Sequence, residues 1–172
     1  MLVKAELDKL NITYKNVELG EAEVEDDLTD KQKLDLKTEL AKSGLELMDD
    51  KKAMLVEKIK RVIIEMVHYA DEFPVINFSV FLSEKLNHNY TYLSNLFSEV
   101  KGTTIEHYII LHKIEKVKEL IVYDELNLTE IAFKMNYSSV AHLSNQFKKI
   151  TGLTPTFFKK LKTYRRSSLE DM

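Results

Sequence analysis

The second half of the chain repeats itself, and this repeat restricts the fold more than any other feature of the sequence. Tyr92-Leu93-Ser94-Asn95-Leu96-Phe97 is matched fifty residues later by His142-Leu143-Ser144-Asn145-Gln146-Phe147. At the same offset Gly102 matches Gly152, Thr104 matches Thr154 and Tyr108 matches Phe158. Upstream, Leu82-Ser83-Glu84-Lys85-Leu86-Asn87 pairs with Ile131-Ala132-Phe133-Lys134-Met135-Asn136 once the second turn is allowed one extra residue. Self-similarity at a fixed period means that one supersecondary unit is used twice. Each copy has room for a short helix, a turn and a second helix, the dimensions of a helix-turn-helix.

Helical periodicity divides the second helix of each copy into two faces. In the later copy Val140, Leu143, Phe147 and Ile150 share one side and are expected in the core. His142, Asn145 and Lys149 lie opposite, flanked by Ala141, Gln146 and Lys148. In the earlier copy Leu93, Leu96, Phe97 and Val100 form the apolar stripe. Thr91, Ser94, Asn95 and Ser98 form the polar one, with Lys101 at its end. A side-chain amide can offer a donor and an acceptor together to an adenine edge, and a hydroxyl can serve either way. Lysines neutralise phosphates, adding affinity without sequence information. One small polar residue on a helix is an ordinary solvated position; the same Leu-Ser-Asn arrangement in two copies points to double-stranded DNA.

The charge distribution agrees. The chain carries a formal net charge of −3, which by itself argues mildly against nucleic acid. Residues 1–72, however, hold 12 Lys/Arg against 18 Asp/Glu, and residues 73–172 hold 13 against 10. No acidic residue occurs from Lys134 to Arg166, a stretch with Lys148, Lys149, Lys159, Lys160, Lys162, Arg165 and Arg166. A solvated basic face and a phosphate-contacting one both fit that run on charge alone.

Ahead of the repeat the chain reads differently. Leu2 to Leu10 has helical spacing, Ile12 to Leu19 alternates like a strand, Gly20 offers a turn, and Ala22-Glu23-Val24 returns as a second strand. Thr29 and Gln32 form a capping-box pattern for a helix that stops at Gly44, and Leu45 to Met48 alternates again. The resulting α-β-β-α-β order is similar to a ferredoxin-like fold lacking its first strand, as in heavy-metal-associated domains, whose two cysteines are absent here. From Lys51 to Glu72 a long helix is expected, apolar at Leu55, Val56, Ile59, Val62, Ile63, Met66, Val67 and Ala70, with Phe73-Pro74 ending it.

The run Ile131-Ala132, Asn136-Tyr137-Ser138-Ser139, Leu143-Ser144, Phe147-Lys148-Lys149, Gly152 and Thr154-Pro155 resembles the signature of the AraC/XylS family, over about residues 76–162. In that family two helix-turn-helix subdomains are joined by a long helix, which here would run from Thr104 to Val122. The resemblance implies that both second helices enter successive major grooves. It places base-edge contacts at Thr91, Tyr92, Ser94, Asn95, Ala141, His142, Asn145 and Gln146. Phosphate contacts are expected from Ser98, Lys101, Lys148, Lys149 and Lys159. Several positions depart from the family. Asn136 stands where glycine is usual, and Asn87 occupies the equivalent turn; asparagine is the non-glycine residue that best tolerates left-handed backbone. Asn145 replaces a common arginine, Val117 an alanine, Phe158 a tyrosine and Lys159 an arginine, so no target sequence carries over.

The expected architecture is therefore mainly α: two helix-turn-helix subdomains joined by a long helix, preceded by a small α/β, truncated ferredoxin-like domain and a long helix. Its boundaries fall at 1–50 for the small acidic domain, 51–73 for a connecting helix, 74–166 for the DNA-binding domain and 167–172 for a tail. An enzyme is not expected. The four glycines form no phosphate cradle, and no cysteine is present for a nucleophile, a thiolate metal site or thiol-based DNA repair. His107 and His112 are badly spaced for a shared metal, while His68, His88 and His142 are isolated in sequence. The doublets Asp26-Asp27 and Asp49-Asp50 suit element ends. No cofactor and no metal are expected. Beside DNA, RNA polymerase is the expected partner, and the acidic N-terminal domain is the place for homodimerisation, an effector or another protein. With no membrane segment, no secretory signal at Met1-Leu2-Val3-Lys4 and no cysteine, the cytoplasm is the expected compartment.

Overall fold

The computed structural model describes residues 2–48 and 50–170, with side chains as far as Thr163. Asp49, the Arg165 and Arg166 side chains and tail residues 171–172 lie outside the described residues. The chain divides into two units, residues 1–51 and 52–172.

In the first unit, α1 (Leu2–Lys9) leads into the strands β1 (Tyr14–Glu18) and β2 (Glu21–Val24), and α2 (Asp30–Lys42) follows. The strands pair antiparallel, with Glu18 opposite Glu21 and an irregularity between Tyr14 and Asn16. Thr29 caps α2 in a full capping box with Gln32, as its spacing predicts. Leu7, Ile12, Leu36 and Leu40 are buried together beneath Val3, Tyr14, Val17, Val24 and Leu47. At the rim Glu39 receives hydrogen bonds from Lys9 at 2.8 Å and Lys42 at 2.7 Å. These, led by the Lys42 bond, hold its carboxyl down to about 2.

The third strand expected at Leu45–Met48 does not form, and the sheet has two strands. The element order of a truncated ferredoxin-like fold therefore fails at its last member. The end of α2 accounts for this: Leu45 N–H reaches back to Leu40 C=O and Gly44 N–H to Ala41 C=O, both at 3.0 Å. That pair of bonds is a Schellman closure, so the first donor of the would-be strand is spent on the helix.

The second unit contains α3 (Lys51–Ile64), a π-turn (Glu65–Tyr69), α4 (Phe78–Leu86), α5 (Tyr90–Lys101), α6 (Ile105–Tyr123), α7 (Leu128–Lys134), α8 (Val140–Thr151) and α9 (Pro155–Glu170). Its core is a single cluster. Val56, Ile59, Ile63, Met66 and Val67 join Leu82, Leu93, Leu96 and Phe97 from the first copy. Ile114, Val117 and Ile121 from α6 and Ile131, Met135, Leu143 and Phe147 from the second copy complete it. The segment expected as a connecting helix contributes its apolar stripe to this core, and the second unit begins at residue 52. It also does not run as one α-helix to Glu72. Ala70 N–H bonds to Glu65 C=O at 2.8 Å, closing a π-turn, after which Ala70 is extended (ψ 141). The wide turn sends Met66 and Val67 into the core and sets His68 Nε2 3.0 Å from His112 Nδ1. Likewise α9 continues to Glu170, through positions expected to be tail.

The repeat is reproduced in detail. Asn87 and Asn136 are both left-handed, at φ 52 and φ 56, at the ends of the first helices of the two copies. Gly102 and Gly152 stop the second helices at φ 68 and φ 79. No neighbour approaches either position, so backbone sign alone favours glycine there. Two residues later Thr104 and Thr154 cap the next helices, accepting from His107 N–H at 3.1 Å and Phe157 N–H at 3.2 Å. Phe97 meets Tyr108 edge-on at 5.4 Å, and Phe147 meets Phe158 at 5.5 Å. One expectation is corrected: Val100 is 47% exposed rather than buried, because α5 runs past the core for its last turn, whereas Ile150 at the matching place is half-buried.

Two outcomes follow. At Asn136 a glycine should be neutral or slightly stabilising, while Asn136→Val should cost about 1–2 kcal/mol, the penalty for a β-branched residue in left-handed geometry. Thermal melts of both variants check this; equal melting temperatures contradict it. The histidine pair predicts acid sensitivity. Burial holds both imidazoles below their ordinary 6.5, aided at His68 by Lys116 and at His112 by His68 itself and Lys60; Glu115 and, at His68, Glu119 oppose. The unfolded chain then binds more protons, so the stability present above pH 6.5 should be lost as the pH falls through the folded values. A His68→Gln/His112→Gln double variant should flatten that part of the melting-temperature profile.

Candidate nucleic-acid interface

The second helices of the two copies, α5 and α8, begin with side-chain caps. Asn89 Oδ1 accepts from Thr91 N–H at 2.8 Å, and Ser139 Oγ from His142 N–H at 3.0 Å. Neither helix has an acidic residue in its first turn, so the positive end of each dipole is not offset. Leu93, Leu96 and Phe97 bury one side of α5, and Leu143 and Phe147 one side of α8. This turns the opposite sides out to solvent.

On α5 the exposed side carries Thr91, Tyr92, Asn95, Glu99 and Lys101, with Ser94 and Ser98 half-buried beside them. On α8 it carries Ala141, His142, Asn145, Lys148 and Lys149, with Ser144 and Gln146 half-buried. Lys101, Lys148 and Lys149 make no ion pair among the described residues, leaving their charge available to an anion. Lys159 stands apart from them: it pairs with Asp124, the left-handed residue that ends α6. A phosphate at Lys159 would have to compete with that carboxylate.

Each turn also leans an aromatic ring against the exposed helix. His88 lies 5.7 Å from Tyr92 between ring centres, and Tyr137 lies 5.2 Å from His142, edge-on. The two residue types are exchanged between the copies while the arrangement is kept. His142 Nδ1 is also 3.0 Å from Ser138 Oγ. On the first copy Tyr90, at the start of α5, donates from its hydroxyl to Glu106 on α6. Burial first, and then that carboxylate, push the Tyr90 phenol above its ordinary range.

Gln146 and its surroundings carry more structure than periodicity foretells. Its carbonyl oxygen accepts a hydrogen bond from the Tyr137 hydroxyl at 2.6 Å. Tyr137 is buried, which pushes its phenol up to about 12. The Lys113 ammonium from α6 lies 4.0 Å from the centre of the Tyr137 ring and 5.3 Å from that of Phe73. Burial pushes Lys113 down to about 8, while the two ring faces favour its charged form. Tyr137 and Lys113 belong to no polar helix face, and helical spacing therefore could not single them out. The one signal was a tyrosine inside the turn motif, where a hydroxyl in a core position needs a partner.

The fold and the sequence both find relatives. A helix-turn-helix domain family model matches residues 82–161. An uncharacterized HTH-type transcriptional regulator of Staphylococcus aureus is 34% identical over 74 residues, which is 43% of this chain and 10% of that protein. This chain thus spans only about a tenth of that relative. Among solved structures, the C-terminal domain of the two-component response regulator yesN of Fusobacterium nucleatum is 33% identical. The match covers 60% of this chain and 95% of that domain, with a TM-score of 0.51. The C-terminal domain of AraT, a response regulator of Geobacillus stearothermophilus, shares the fold at 23% identity and a TM-score of 0.56, over 65% of this chain and 88% of that one. With two matched helix-turn-helix copies hung on one long helix, residues 82–161 form an AraC-type domain, and through it the chain belongs to the AraC/XylS family.

Proposed function

We propose that the protein is a sequence-specific transcription regulator that reads double-stranded DNA with α5 and α8 in successive major grooves. The observation that carries this reading is the duplicated geometry: two capped helices, each with one side buried and the other polar and free of acidic residues in its first turn, α8 adding Lys148 and Lys149. Asn95 and Asn145 are the base readers best placed, since both are exposed at the centre of their helices. Thr91, Tyr92, Ser94, Ala141 and His142 line the same sides. Lys101, Lys148 and Lys149, with Ser98, take the phosphates, and Lys159 does so only by leaving Asp124.

No reaction is proposed. Among the described residues no group of three or more His, Cys, Asp or Glu side chains could hold a metal ion, and no helix is long and apolar enough to cross a membrane. RNA polymerase is the proposed second partner, the cytoplasm the proposed compartment, and residues 1–51 the proposed place for an effector or a second subunit. Those 51 residues have a hydrophobic core of their own, as a sensing or assembly module requires.

Phosphate and base contacts should separate in a binding assay. Lys148→Ala should weaken binding to all duplexes alike and lower the salt slope by about one ion. Asn145→Ala should cost about 1–3 kcal/mol on the best site and much less on unrelated DNA. Losses by the same factor on both DNAs would remove Asn145 from the readers. The two copies should also own different parts of the site, about 10 base pairs apart. Selection from random duplexes should show a Ser94→Ala/Asn95→Ala variant altered in one half and a Ser144→Ala/Asn145→Ala variant in the other. Disturbance of the same few base pairs by both would leave a single reading copy.

A further inference from the structure

A glutamine on a recognition helix ordinarily offers a groove both halves of its amide, and that pair of groups selects adenine. Gln146 is not in that condition. Its carbonyl oxygen is taken by the Tyr137 hydroxyl at 2.6 Å. Its amide nitrogen makes no hydrogen bond among the described residues, and none of their side-chain nitrogen or oxygen atoms is both buried and unpartnered, so that nitrogen reaches solvent. The tyrosine is itself fixed from behind, buried in the core with the Lys113 ammonium 4.0 Å from its ring centre. Gln146 lies one turn beyond His142, on the flank of the polar face.

Resting on the DNA-reading function proposed above, we infer that Tyr137 is a specificity-determining residue: by engaging the Gln146 carbonyl and turning it toward the core, it leaves the amide nitrogen as the group that α8 offers the groove at that position. The base pair under Gln146 is then read for acceptor edges. Guanine, with two acceptors in the major groove, is favoured, and thymine O4 is tolerated. Adenine ranks below guanine, because it offers a single acceptor, N7, and its amino group finds no free acceptor on Gln146. The first copy has no such device. The matching position is Leu96, which is buried, and the matching turn residue is His88. The control is therefore particular to the second copy, and it acts from a residue that touches no base.

The test is a binding-site selection from random duplexes with the full chain and four variants. Wild type should select guanine, or thymine next, at one pair in the half-site assigned to α8. Tyr137→Phe keeps the ring and frees the carbonyl, so adenine should rise there by about tenfold relative to guanine, with affinity for unrelated DNA unchanged. Gln146→Met should leave the pair unselected, and Tyr137→Phe/Gln146→Met should match Gln146→Met alone. A purely structural role for Tyr137 would instead shift all positions together and persist when Tyr137→Phe is combined with Gln146→Met. Gln146→Glu leaves Tyr137 untouched and makes the groove-facing group an acceptor. It should move the preference to cytosine, and it keeps the idea falsifiable should Tyr137→Phe fold poorly. An unchanged selection in Tyr137→Phe or Gln146→Glu, or a wild-type preference for donor edges, overturns the inference while leaving the regulator reading intact. A wild-type chain that selects no sequence overturns both.

Discussion

One buried stripe holds the C-terminal unit together. Ile105, Ile114, Val117 and Ile121 on α6 are all at most 4% exposed, and the π-turn, α5, α7, α8 and α9 all pack on this helix. Both copies of the repeat therefore draw on the same apolar surface. Removing a side chain of this kind from a core costs about 2–5 kcal/mol, against a net stability for a whole domain of about 5–15 kcal/mol. Neither copy can be loosened from α6 without drawing on the stability of the other. This coupling explains why the polar sides of α5 and α8 can be so plain. Their orientation is fixed from beneath by Leu93, Phe97, Leu143 and Phe147, so the exposed residues are free to vary.

Much of this was legible in the residues, for identifiable reasons. The left-handed turns could be placed because asparagine, like glycine, marks positive φ, and two asparagines stood at equivalent points. The Gly-x-Thr pairs were readable because one residue ends a helix and the other begins the next, each by a local mechanism. What local signals could not reach was tertiary choice. The apolar residues of α3 were visible, but nothing in their spacing says which core they enter. Leu45–Met48 alternates like a strand, yet a strand also needs a ladder partner, and the closure of α2 claims its first donor.

The two faces of the candidate helices were legible to a similar depth. Periodicity separates Asn145, His142 and Lys149 from Leu143 and Phe147, because burial follows the helical period. It cannot show that the carbonyl of Gln146 is already bonded, since the donor is Tyr137 in the preceding turn and the ring is held by Lys113 in another helix. Nor can it show that Lys159 faces Asp124, which precedes it by thirty-five residues. In each case the missing information is an interaction between elements, and these are the interactions that decide what a polar group has left to offer a ligand.

The continuity of α6 also sets how such a protein can change over time. An α-helix turns by about 100° and rises about 1.5 Å with each residue. One residue inserted midway in α6 would therefore swing everything beyond it by more than a quarter of a revolution, while lengthening the spacer by less than half a base-pair step of the duplex. The apolar stripe would be broken in phase at the same stroke. Point substitutions on α5 and α8 change their exposed sides in small increments, but the distance between the two helices has no small increments available. If α5 and α8 read DNA as proposed, the lettering of the target can drift while its spacing stays locked by the pitch of one helix.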